Sequence, residues 1–214
     1  MYIPRHNQET RLPVLHALLR DHPLATLVTL NQSGLIASHL PMLLEPGADG
    51  SSGTLRAHLA RANTQWRDLS AEVDALAIFA GPHHYISTAW YPGTYEHGEE
   101  VPTWNYAVVH AYGPLRVIED ADWLLAHLNS LTDEHEASFP RPWKVADAPA
   151  DFIQTMLKGI VGLELPIRRL EGKWKVSQNR TLAEREGVIA GLNELHTPES
   201  LAMRDLVAEA LLKT

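Results

Sequence analysis

The stretch LATLVTLNQSGLIASHLPMLL, residues 24–44, decides the fold. Leu24 to Leu30 is a short apolar run rich in strand formers. Asn31, Gln32, Ser33 and Gly34 are turn residues. Leu35 to Leu44 then resumes the strand pattern, so the segment reads as strand, turn, strand. Working outward, a Pro/Gly/Ser-rich loop from Glu45 to Gly53 separates this hairpin from a third strand, Gly53 to Leu59. That strand runs into a short helix start at residues 60–66. Val73 to Ala80 reads as a buried strand. Pro102 to Ile118 reads as one long strand with Tyr106, Val108, His110 and Tyr112 on a single face. A late strand, Gly162 to Leu170, turns at Glu171-Gly172 into Lys173 to Ser177.

Helix signals sit outside these strands. Leu12, Leu15, His16 and Leu19 have helical spacing behind Thr10. Asp120 is placed to cap a helix carrying Leu124, Leu125, Leu128 and Leu131, and Asp147 one carrying Phe152, Ile153, Met156 and Leu157. Thr181 with Glu184 has capping-box spacing, and Thr197-Pro198 sets a cap before a first-turn proline. Strands joined by turns, without regular alternation with helices, predict an antiparallel barrel with flanking helices rather than a doubly wound sheet. Loops are expected at Tyr91 to Glu100 and Phe139 to Pro149.

Composition removes several function classes. Cysteine is absent, which excludes disulfides, thiolate catalysis and Cys-ligated metals. There are 18 Lys and Arg against 26 Asp and Glu, a net charge of −8 with His neutral, which disfavours general affinity for a nucleic-acid backbone. No apolar run has membrane-span length, and the first residues show no export-signal pattern, so a cytoplasmic protein is expected. Neither a Gly-x-Gly-x-x-Gly loop, a phosphate-binding Gly-Lys loop nor a Gly-x-Ser-x-Gly elbow occurs. His83-His84 is the sole His doublet among 12 His, and Glu134-His135 lacks a partner at ligand spacing, so no metal site is expected.

Five segments combine aromatic and polar residues beside strand ends. They are Ser38 to Pro41, His58 to Asn63, His84 to Tyr91, Val101 to Tyr106 and Lys175 to Arg180. Trp and Tyr interleaved with Asn, Gln, Arg and His suit a flat ring with polar edges plus an anion, a description that FMN meets. A bland reading stays open beside this one. Trp90, Tyr91 and Trp104 are equally suited to a core or a dimer interface, Asn63 to a helix cap, and residues 178–180 to a turn.

The same segments carry a resemblance. Met1 to Pro4, Ser38 to Pro41, His58 to Asn63 with Gln65-Trp66, Gly81 to Ser87 ending at Trp90-Tyr91, Val101 to Tyr106 with Val109-His110, and Lys175 to Arg180 occur in this order. In them the chain resembles the PaiB family of bacterial FMN-binding negative transcriptional regulators. Asn7, Thr64 and Thr88 stand where that family often has Phe, Pro and Pro. The resemblance implies a split β-barrel of the pyridoxamine-phosphate-oxidase-like type over residues 1–180, a helical extension packed on it over 181–214, and a homodimer holding FMN between subunits. It assigns Arg61 and Asn63 to the phosphate, with His58 ending the strand that feeds that site. It sets Ser38 and His39 at the isoalloxazine edge, has Trp104 and Asn105 line the cleft, and has Gln178 and Arg180 close it.

Three functions are compatible with that site. A regulator would act through a ligand, a protein partner or DNA, although the charge does not support direct DNA binding. A flavin-dependent oxidoreductase would have His39 and His110 as proton carriers for an unnamed substrate. A binding protein for haem or another flat ligand would reuse the same cleft.

Overall fold

The structure is a computed structural model that describes all residues except Ser33, Ala71, 95–97 and 213–214. Ser33 of the 31–34 turn and the centre of the Tyr91–Glu100 loop therefore lie outside the described residues. The chain divides into two compact units, one made of Met1–Leu18, Ala80–Val109 and Glu171–Thr214, the other of Leu19–Phe79 and His110–Leu170.

The second unit contains the hairpin of residues 24–41. Strands β2 (Leu24–Asn31) and β3 (Gly34–Pro41) pair antiparallel from Leu24↔Pro41 to Asn31↔Gly34. Gly34 has φ +114°, a conformation that a side chain would strain. β2 also pairs with β6 (Ala75–Ile86) through Thr26↔Ile78 and Val28↔Leu76. A four-stranded antiparallel sheet follows in the order β4 (Leu43–Glu45), β5 (Thr54–Ala60), β9 (Ile160–Pro166), β8 (Arg116–Ile118). Helices α2 (Ala121–Glu136) and α3 (Ala150–Lys158) accompany it. Asp120 caps α2 by accepting from the Trp123 amide at 2.8 Å. The Trp123 ring lies on Gly162, where a Cβ would come within 2.3 Å of it.

In the first unit, β1 (Gln8–Glu9), β10 (Arg169–Lys175), β7 (Thr103–Gly113) and β6 are neighbours in that order. Helices α1 (Leu12–Asp21), α4 (Leu182–Leu195) and α5 (Pro198–Leu211) complete the set, α1 running on past the unit's edge at Leu18. Ile86, Tyr91, Val176, Val188, Leu192, Met203 and Val207 form one buried cluster. Trp90 packs against it, and its ring reaches α4 because Gly191 has no Cβ; one built there would sit 2.4 Å from the indole. The capping box of Thr181 with Glu184 forms, and the cap at Thr197 forms a box as well, with Ser200.

Several boundaries differ from the sequence reading, and the strand expected over 73–80 runs instead over Ala75–Ile86, leaving Val73 exposed. The strand expected over 35–44 breaks at Met42, a buried residue whose amide donates to the Pro23 carbonyl at 2.9 Å, and the chain passes there from one sheet to the other. The strand expected over 102–118 breaks at Pro114-Leu115, proline having no N–H to give a ladder. The turn expected at Glu171-Gly172 lies instead at Ile167-Arg168, whose amides donate to the Gly53 and Tyr112 carbonyls. Asp147 serves a one-turn 3-10 helix by accepting from the Lys144 amide, and α3 starts after Pro149 without a side-chain cap.

Gly172 is a strand residue because of its neighbours. A Cβ there would lie 2.3 Å from the Leu15 side chain and 2.8 Å from the Glu9 carbonyl. The Gly172→Ala variant should therefore be destabilised by about 1–3 kcal/mol through displacement of β1 and α1. Urea unfolding checks this: the midpoint falls while the slope is unchanged.

Candidate functional site

Five of the nine residues singled out in the sequence belong to the second unit and four to the first. In the second unit Ser38 is half-buried on β3 and His39 faces the opposite, exposed side. Asn63 caps the 3-10 turn Thr64–Trp66: its Oδ1 accepts from the Gln65 amide at 2.9 Å, and its Nδ2 donates to Ser38 Oγ at 3.0 Å. Ser38 and Asn63 are thus brought together. Behind them Gln65 is fully buried. Its Nε2 lies within 3.0–3.2 Å of the Leu27 carbonyl, Thr29 Oγ1 and the Ile36 carbonyl, while its Oε1 has no partner among the described residues. Three oxygens around one nitrogen fix the amide orientation, so the unmatched acceptor is a property of the site.

Arg61 is anchored at several points. Its Nε donates to the Lys158 carbonyl at 3.0 Å, Nη2 to the Ile160 carbonyl at 3.2 Å, and Nη1 to Glu119. An anion at Arg61 therefore competes with the exposed Glu119 carboxylate.

His58 is turned toward α2. On β5 it shares a face with Arg56, and its Nδ1 meets Nε2 of the buried His127 at 3.2 Å. His127 stacks on Trp123, with planes 19° apart and centroids 5.3 Å apart. The Trp123 indole N–H and the Arg56 guanidinium both donate to Glu164 Oε1 at 3.1 Å. Burial, then the His58 and Arg56 charges, hold His127 down at about 4 from the usual 6.5, and burial lowers His58 as well. The pair is built to share one proton, since two imidazolium rings would face each other N–H to N–H. His127 was missed in the sequence because its helical position carries no sign of a partner 69 residues away.

In the first unit Asn105 is buried, and its Nδ2 donates to Ser177 Oγ at 2.9 Å; Ser177 has φ 63°, a turn conformation unusual for a non-glycine residue. Trp104, on the other face of β7, is 54% exposed. His83 and Tyr85, both exposed on β6, have rings 6.3 and 6.1 Å from that of Trp104. The Lys175 ammonium donates to Thr103 Oγ1 and to the Trp104 carbonyl at 2.5 and 2.6 Å. Burial, then Lys173 and Arg180, lowers its pKa. The sequence marks Lys175, His83 and Tyr85 through their strand positions, which flank Trp104. Gln178 folds back on its own loop, accepting from the Val176 amide and donating to the Trp174 carbonyl. Arg180 pairs with Glu100 at 2.6 Å and Glu184 at 3.0 Å and lies over the Tyr91 ring.

Among the described residues no three His, Asp or Glu side chains converge as a metal site, and no helix is long and apolar enough to cross a membrane.

A sequence profile of the family described as "Putative FMN-binding domain" matches residues 1–169. The chain is 33% identical over 213 residues to Protease synthase and sporulation protein PAI 2 of Bacillus subtilis, covering 100% of this chain and 99% of that one. It is 34% identical over 248 residues to an uncharacterised protein of Emericella nidulans, covering 98% and 97%. The structure of the FAD and heme binding protein from Mycobacterium smegmatis superposes with a TM-score of 0.56 at 20% identity, over 79% of this chain and 73% of that one. The flavocytochrome Anf3 from Azotobacter vinelandii gives 0.55 at 14% identity, over 81% and 72%. The architecture is the antiparallel, helix-flanked split-barrel type expected from the sequence.

The His58–His127 pair carries a pH dependence of definite sign. A histidine held neutral in the fold takes up its proton first in the unfolded chain. Its contribution is therefore complete above pH 6.5 and is lost as pH falls toward about 4. The unfolding free energy of the wild type, from urea titrations, should drop across that window by up to ~3 kcal/mol. The His127→Gln variant should show a flatter profile, and an unchanged slope would rule out the pair as its source.

Proposed function

The chain belongs to the FMN-binding domain family, with FMN as its cofactor, and from that premise we propose that it works as a flavin-bound homodimer, a regulator of the PaiB type. The residues present fit the cofactor. Trp104, Tyr85 and His83 offer exposed aromatic surface beside the Lys175 ammonium. Aromatic area of this size left in water is costly, and a flat heteroaromatic ring with an electron-rich edge suits it. Gln65 Oε1 is a buried acceptor in want of a donor, and Ser38 keeps its own hydroxyl proton available after accepting from Asn63. FMN, when bound, supplies a redox-active ring and a phosphate dianion.

The residues assigned to FMN in this reading are Ser38, His39, His58, Arg61, Asn63, Trp104, Asn105, Gln178 and Arg180. Their tasks differ. Trp104 gives ring contact. Ser38 and His39 give edge hydrogen bonds, and Asn63 stands with Arg61 at the phosphate, holding the turn whose amides face it. Arg61 gives charge, with Glu119 as its resting partner. His58, Asn105, Gln178 and Arg180 hold the neighbouring backbone in place through the partners already described. The exposed Trp104 surface is the single observation that carries the proposal.

Regulation fits the charge only in one form. With a net charge of −8, the chain lacks a general attraction to DNA, so control is exerted through a bound ligand or a protein partner. A gel shift showing tight, sequence-specific binding at physiological salt would contradict this.

FMN titration followed by flavin fluorescence should give saturable binding, and light scattering on the complex should give twice the chain mass. Trp104→Ala should weaken FMN by about tenfold or more, as for other base-on-aromatic contacts. Arg61→Ala should weaken FMN more than riboflavin, which lacks the phosphate. Equal affinity of wild type and both variants for FMN would remove the assignment.

A further inference from the structure

The turn after β5 brings two cations to one aromatic ring. The Arg61 and Arg67 guanidinium carbons lie over the Trp66 indole, 6.0 and 4.9 Å from its centroid. The ring is pinned within its own loop, because its N–H donates to the Arg61 carbonyl at 3.2 Å. The Arg67 amide closes the 3-10 turn on the Thr64 carbonyl at 3.0 Å, and Asn63 caps that turn at its start. A guanidinium laid on a fixed indole keeps its charge and its fork of donors, and part of its side-chain freedom is already lost before any ligand arrives.

The two arginines differ in their other partners. Arg61 gives Nε to the Lys158 carbonyl, Nη2 to the Ile160 carbonyl and Nη1 to Glu119. Arg67 is exposed, and among the described residues its guanidinium has neither a hydrogen bond nor an ion pair; Asp68, next in the chain, does not pair with it. Two like charges sharing a ring repel, and an anion between them is attracted from both sides. At Arg61 such an anion displaces Glu119, whereas at Arg67 it displaces only water. A chain of net charge −8 has no general attraction for anions, so a preference for one has to come from a local pair of this kind.

We infer that Arg67 is a specificity-determining residue of the flavin site: carried on Trp66, it takes the phosphate dianion of FMN together with Arg61 and sets the preference for FMN over riboflavin. The inference rests on the flavin reading given above and names a residue outside the set assigned there. Ring contact supplies the affinity that riboflavin and FMN share. Arg67 supplies what the phosphate adds, because a phosphate monoester offers three acceptor oxygens to a planar fork that has no carboxylate to release first.

The test is a set of fluorescence titrations of the full chain with FMN and with riboflavin, on wild type, Arg67→Gln and Arg67→Glu. Arg67→Gln should weaken FMN by about fivefold or more and leave riboflavin unchanged, and Arg67→Glu should weaken FMN further. Added salt should weaken FMN on the wild type and have less effect on Arg67→Gln. Both substitutions lie at an exposed position, and an unchanged urea midpoint for each separates loss of the phosphate contact from loss of the fold. Wild-type affinity of Arg67→Gln for FMN, or an equal loss for FMN and riboflavin, would overturn the role of Arg67 while leaving the flavin reading in place. A wild type that binds neither flavin would overturn both.

Discussion

Gln65 has no exposed surface, and its amide nitrogen lies among the Leu27 carbonyl, the Thr29 hydroxyl and the Ile36 carbonyl. That contact binds the turn after β5 to the β2–β3 hairpin. Polar groups out of water must be matched, and a lost partner costs about 1–3 kcal/mol per stranded group. The turn therefore cannot drift without leaving hairpin oxygens unserved. Asn63 extends the same logic: its carbonyl caps the turn and its amide reaches Ser38. The second unit's candidate residues are thus held by a polar network, and the one acceptor it leaves unmatched, Gln65 Oε1, lies within that network.

A second constraint is steric. Tryptophans pack against glycines at two places, Trp123 on Gly162 and Trp90 on Gly191. In both, a helix approaches the rest of its unit more closely than any side chain would permit. This sets where α2 stands over β9, and hence where His127 meets His58. It also shows why Trp90 and Tyr91, which by sequence suit a core or a dimer interface equally, take the core: Tyr91 is buried in the cluster that Trp90 closes.

The legible parts of the sequence were those whose physics is local. Asp120, Thr181 and Thr197 cap helices as their spacing indicated, because a cap involves only residues two or three apart. The alternation of Tyr106, Val108, His110 and Tyr112 on one face was also correct, but that face is the half-exposed one, and Asn105, Ala107, Val109 and Ala111 are the buried set. Periodicity separates two faces without saying which is covered. Gly172 looked like a turn because glycine often is one, and only the approach of Leu15 and Glu9 makes it a strand residue. Met42 and Pro114 mark places where a continuous strand pattern in sequence passes between sheets, which depends on partners far along the chain.

The site residues divide along the same line, and the division bears on what a ligand can use. Arg180, Gln178 and Asn105 have their polar atoms committed within the first unit, and His58 is committed to His127. A committed group contributes to binding by fixing geometry, because releasing it for a ligand would forfeit about as much as the new contact supplies. The groups whose present surroundings satisfy them least are the Trp104 ring with Tyr85 and His83, and the Gln65 acceptor. Binding energy is gained where the unliganded surface is poorly satisfied. Affinity in this chain should therefore concentrate in ring contact and a few edge hydrogen bonds, with Arg61 adding only the difference between a phosphate and the Glu119 carboxylate it already holds.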